Sequence, residues 1–225
     1  MSSAPTSTAS RPFLAAQLVL AVAALAVAVW AVVPYAPLMV FFAETGPIER
    51  GTAALYFLSA VGILFVAVPG LRWPLRLALC VALLAFGARE LDLHKTWTGV
   101  SALKVSFYLG AAPLQQKLGG LAVVLPVAAS FAYLALSHGG AVLRGLRRRH
   151  PVALTAAVFL VTIVLSKLID RSENVLLEDY GYRFEEWMSG LRAALEESLE
   201  LCLPLLVWVG VLQQRVRSAG PLTRK

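Results

Sequence analysis

Between Arg11 and Glu44 the chain carries no charged side chain, and runs of the same character recur along its length. An apolar run of about 20 residues has few places to go. In lipid it must satisfy every backbone N–H and C=O internally, which a helix does within one segment. Spans are expected near residues 13–33, 52–68, 75–94, 118–137, 152–170 and 194–213. Closed β-barrels would instead alternate with period two in segments of about ten residues, and no such alternation occurs. The expected fold class is therefore all-α, a polytopic membrane helical bundle of six transmembrane helices. Composition agrees: 59% of the 225 residues are hydrophobic and only 15% charged, unlike a soluble domain.

The net charge of +7 is unevenly spread. Arg11, Arg72, Arg76, Arg144, Arg147, Arg148, Arg149, Arg215, Arg217, Arg224 and Lys225 fall in the N-terminus, the second and fourth connections and the C-terminus. In a six-span chain those segments share one side, and the positive-inside rule makes it the cytoplasm of a bacterial inner membrane. Both termini are then cytoplasmic. All 13 acidic residues lie in or beside the other three connections. The basic residues are expected to meet anionic headgroups rather than nucleic acid, whose backbone would need far more basic surface.

Residues 1–12 read as a disordered Ser/Thr/Ala/Pro tail, 13–214 as the membrane domain and 215–225 as a basic cytoplasmic tail. Arg11 and the apolar run after it resemble a signal peptide, but its loss would break the charge pattern, so it is kept as the first span. That run continues past Pro34 and Pro37, which implies a kink or a surface-lying turn. Residues 96–117 read as an interfacial lid, 139–150 as a basic cytoplasmic loop, and 172–192 as an acidic, aromatic periplasmic loop able to form a short helix over the bundle. Cys80 and Cys202 are expected as small core residues, not a disulfide.

The ionisable residues inside the spans carry the functional expectation, because charge at that depth faces a bundle interior or a wet cavity. Rising about 1.5 Å per residue from Arg76, Arg89 and Glu90 lie about 20 Å up a layer roughly 30 Å thick. Counted likewise from Pro151, Lys167 is about 24 Å up, and Glu200 is about 22 Å above Arg215. Asp92, His94, Asp170, Glu196 and Glu197 fall one or two turns higher. Lys167 and Asp170 are spaced i,i+3, while Glu90/His94 and Glu196/Glu200 are spaced i,i+4, as metal ligands or an acid/base pair would be.

The candidate catalytic set is Glu90, His94, Lys167, Glu200 and Arg89. The candidate ligands of a divalent metal are Glu90, Asp92, His94, Glu196, Glu197 and Glu200. No Gly-rich phosphate loop, nucleophile elbow or Cys-based metal motif occurs.

The Glu-x-Asp-x-His-Lys element at 90–95, the Gly-Pro-x-Glu turn at 46–49 and the Glu-Glu-x-x-Glu element at 196–200 resemble a family of uncharacterised bacterial multi-pass membrane proteins. The likeness touches most of the outward segments through short motifs and implies no known activity. Membrane ceramidase-like hydrolases are a looser comparison, and they bind zinc through several His. Here His94 is the only His on the relevant side, which excludes a three-His site within one chain. Three functions stay open. One is a metal-assisted enzyme acting on a lipid or lipid-linked substrate. The others are a small-ion or proton-coupled transporter, and a structural or assembly protein whose ion pairs hold helix register. Membrane lipids are the expected surroundings, and the oligomeric state is open.

Overall fold

The computed structural model describes residues 11–93 and 105–219. His94, the first part of the 96–117 segment and most of both tails lie outside them. Every regular element among the described residues is a helix: α1 (Leu14–Val32), α2 (Tyr35–Phe42), α3 (Pro47–Phe65), α4 (Trp73–Glu90), α5 (Val105–Leu109), α6 (Leu114–Arg147), α7 (Pro151–Tyr180) and α8 (Glu186–Ala219). Four stretches are long and apolar enough to cross a membrane: Leu14–Val32, Tyr35–Phe65, Leu114–Arg147 and Pro151–Tyr180. The expected third span, α4, carries Arg76, Arg89 and Glu90 within its 18 residues. The sixth, α8, is bounded by Glu196, Glu197 and Glu200 on one side and Gln213, Gln214 and Arg215 on the other. Charge and amide groups at the ends dilute both.

The pattern of burial fits lipid. In α1 the buried residues are Ala15 and Ala26, whereas Leu20, Leu25 and Val32 are exposed. Lipid tails are as apolar as leucine, so helices in a membrane gain by bringing small residues and hydrogen-bonding groups together and turning bulky ones outward.

Local chemistry sets the breaks. Val33 precedes Pro34 and is extended at ψ 128, as the proline ring requires of its neighbour. The first apolar run is thereby divided into α1 and α2. Before α3, Thr45 takes a left-handed φ of 66 and its N–H donates to the Glu49 carboxylate in the first turn. Pro47 starts the helix, where no N–H is needed. At the other end, the Arg76 guanidinium donates to the carbonyls of Ile63 (2.8 Å), Leu64 (3.1 Å) and Leu71 (2.8 Å). It closes the C-terminus of α3 and suits the negative end of that helix. Arg76→Gln should lower the melting temperature in detergent by the equivalent of about 1–2 kcal/mol, the worth of lost charge-assisted hydrogen bonds. An unchanged melting curve would show the cap to be idle.

The chain forms two compact units, one holding the described residues up to Gly51 and from Ala141 onward, the other running from Thr52 to Gly140. In the first, α8 is the central helix and packs on α7, α1 and α2. In the second, Tyr56 stacks on Phe86 at 5.6 Å and Phe86 meets Phe131 edge-on at 5.8 Å, tying α3, α4 and α6 together. Gly87 lets α3 approach, since a Cβ there would lie 3.1 Å from Tyr56 and Phe57.

Two expected loops are corrected. Most of 172–192 is helical, because α7 continues to Tyr180 and α8 starts at Glu186. Gly181, at φ 67, closes α7 through hydrogen bonds to Leu176 and Leu177. Likewise α6 runs to Arg147, leaving a tight turn before α7. In that turn His150 N–H reaches the Gly145 carbonyl and Arg149 N–H that of Leu146, around Arg149 at φ 52. These are the paired bonds of a Schellman closure. The His150 ring meets the Arg217 guanidinium, and partial burial followed by that charge pushes its pKa below the usual imidazole value.

Candidate functional site: a polar rail between α7 and α8

Thr155, Thr162, Ser166 and Glu173 fall at positions i, i+7, i+11 and i+18 of α7, spacings that return to one face of a helix. That face is turned to α8. Antiparallel helices meet with positions rising along one as they fall along the other, and the polar contacts follow this order. Thr155 Oγ1 donates to Gln213 Oε1 at 2.7 Å. Ser166 Oγ donates to Glu200 Oε1 at 2.8 Å. Glu173 takes Ser189 Oγ on one carboxylate oxygen and Arg192 Nε on the other, both at 2.9 Å. Thr155 to Glu173 spans about 27 Å at the helical rise, close to the thickness of a bilayer core.

At its middle, Lys167 Nζ lies 2.9 Å from Glu200 Oε1 and 3.0 Å from Asp170 Oδ2. The Glu200 side chain is 6% exposed, that of Lys167 36%. The ammonium of a part-exposed side chain thus meets a buried carboxylate. The expected i,i+3 pair and the expected common depth of Lys167 and Glu200 are both found as contacts. About two turns further, Arg192 joins the two helices, with Nη1 2.5 Å from Glu196 Oε2 while Nε holds Glu173. Each of these carboxylates is thereby matched by a cation of the same chain.

Glu197 differs. It is 6% exposed, and its Oε2 has no hydrogen-bond partner among the described residues. At the opposite end of the rail the buried Gln213 Nε2 also lacks one. Buried polar atoms without a protein partner are uncommon, and each needs an explanation in solvent, an ion or a function.

Arg89, Glu90 and Asp92 belong to the other unit. Glu90 is the last residue of α4 and is 7% exposed, with Arg89 Nη2 3.7 Å from its Oε1. The helix does not run on to residue 94 as expected: Leu91 caps it and Asp92 turns left-handed at φ 50. The expected Glu90/His94 pair falls on His94, which lies outside the described residues.

Among the described residues no three of His, Cys, Asp and Glu gather into a set able to hold a metal ion. The expectation of a divalent metal on Glu90, Asp92, His94, Glu196, Glu197 and Glu200 finds no support among them, His94 lying outside the described residues. Physically, Arg192 and Lys167 already claim Glu196 and Glu200. Cys80 and Cys202 are both buried and free, as expected.

The sequence did not single out Ser166, Glu173, Ser189, Arg192, Thr155 or Gln213. The signal was available in the seven-and-eleven spacing of polar residues along the α7 run. No family model, curated protein or solved structure matches the chain.

Proposed function

We propose that the chain is a six-pass protein of a bacterial inner membrane, both termini cytoplasmic, whose α7–α8 rail relays protons as part of a proton-coupled or small-ion carrier. The topology is supported by the four long apolar helices, by the charge-diluted apolar stretches of α4 and α8, and by the clustering of arginine at one set of chain ends. On this topology Arg144, Arg147, Arg148, Arg149 and Arg215 lie at the anionic headgroups of the cytoplasmic leaflet.

The observation that carries the relay is Glu197, a buried carboxyl with an unpartnered oxygen on the helix that also holds Glu200 in its pair with Lys167. Such a group inside a membrane protein can take and release a proton while its neighbours hold charge in place. From there the buried Ser166, Thr162, Thr155 and Gln213 continue toward the cytoplasmic end. Hydroxyls both donate and accept, so with water bridging the roughly 10 Å between Thr162 and Thr155 they can pass a proton where no ionisable residue lies. The lipid-directed enzyme draws on His94 and on a ligand set the described residues do not provide, so it is the weaker reading.

Proton flux into proteoliposomes, followed with an entrapped pH dye under an imposed gradient, tests the relay. Glu197→Gln should reduce flux at least tenfold, and Thr155→Val severalfold. Equal flux in wild type and Glu197→Gln would remove Glu197 from the path. If wild-type protein gave no flux above empty vesicles, while Glu197→Gln and Thr155→Val only shifted melting, the rail would be a register lock.

A further inference from the structure

Where α1 ends and α8 begins, a cleft of about 550 Å³ opens beside Trp30, Tyr35 and Trp187, with Glu185 and Glu186 on its lining. Leu38, 1% exposed, closes its floor. The two indoles are tilted by 43° with centroids 6.2 Å apart. Gly190 brings α8 down onto this corner, since a Cβ there would lie 3.1 Å from Leu38 and 3.3 Å from Tyr35.

The hydrogen bonding of the indoles is informative. Trp30 Nε1 donates to the Trp187 carbonyl at 2.9 Å, and Trp187 Nε1 to Glu185 Oε2 at 2.8 Å. A tryptophan that merely anchors a helix at the membrane surface offers its N–H to headgroups. Here both N–H groups are consumed inside the protein, so the rings offer a ligand their π surface and edges. Among the described residues no basic side chain lines the cleft, while two carboxylates do. Phosphate and carboxylate ligands are disfavoured. An ammonium rich in N–H groups would find few acceptors beyond the carboxylates.

We infer that this cleft binds a quaternary ammonium group. A trimethylammonium carries its charge on a surface of methyl groups, needs no hydrogen-bond acceptor, and is attracted by aromatic faces and by nearby negative charge. The same group reaches this site either as a soluble methylated amine or as the choline end of a phospholipid. The site is separate from the relay and stands whether or not the rail moves protons.

The test uses purified full-length protein in a choline-free detergent, with tetramethylammonium chloride titrated against tryptophan fluorescence and calorimetric heat. Saturable binding is expected, at least tenfold tighter than for ammonium chloride at equal ionic strength. Trp187→Ala should weaken it at least tenfold and Glu186→Gln severalfold, whereas Trp187→Phe, which retains a ring, should keep most of it. Circular dichroism confirms that each variant is folded. No saturable binding to wild type, or equal binding to folded Trp187→Ala, overturns the inference. Nanodiscs of phosphatidylcholine and of phosphatidylethanolamine then identify the source. Loss of tetramethylammonium binding only in phosphatidylcholine supports the lipid headgroup. Equal binding in both supports a soluble amine.

Discussion

Lys167→Met should be among the most destabilising single changes in the first unit, lowering stability in detergent by about 2–3 kcal/mol. Its ammonium sits on Glu200, whose side chain is 6% exposed. Removing one partner of a buried ion pair leaves the other charge uncompensated, at a cost of about 3–5 kcal/mol when both are fully buried. Lys167 is about one-third exposed, and solvent screening lowers the figure accordingly. The diagnostic result is the double variant. Lys167→Met combined with Glu200→Leu removes the pair and should recover part of the loss, the remainder reflecting the buried Ser166 hydroxyl left without its acceptor and Asp170 without its cation. Thermal unfolding of the four proteins gives the coupling energy directly. Additive losses would mean that the two side chains do not act as a pair.

Arg192→Met should be comparably costly, by about 2–4 kcal/mol, since one guanidinium serves Glu173 on α7 and Glu196 on α8 and its loss sets two partly buried carboxylates near each other without a cation. Arg192→Lys should recover less than half. A lysine carries the charge but lacks the planar fork that lets Nε and Nη1 point to different carboxylates. Full rescue by lysine would reduce the contact to simple charge neutralisation. The measurement is again the melting curve, read together with protease sensitivity of the Gly181 connection.

Much of the fold was legible because lipid imposes a simple rule on length and polarity. The six apolar stretches correspond to helices, and α1, α3 and α4 each have an end within a few residues of the expected limit, at 32, 65 and 73 respectively. The errors share a cause. Polar residues such as Glu178, Asp179 and Glu186 were taken to mark loops, yet they extend α7 and α8, since charged residues outside lipid can propagate a helix as well as leucine does. The Lys167–Glu200 pair was foreseen as a coincidence of depth. Its Ser166 partner and the Arg192 bridge were not, because depth counts position along a helix and ignores which way a side chain faces. The aromatic cleft was out of reach, since Trp30 and Trp187 are 157 positions apart and only folding makes them neighbours.

The spacing of the glutamates along α8 has a mechanical corollary. Glu196 and Glu200 stand about one helical turn apart, and sliding α8 along its neighbour by about 6 Å would carry one into the seat of the other. Lys167 would then meet a carboxylate in either position, as a pawl meets successive teeth. Packed helices are known to jump by such whole-turn steps. Such a slide would part Arg192 from Glu173 and Gln213 from Thr155, so those two contacts hold the hairpin in the register in which Lys167 meets Glu200.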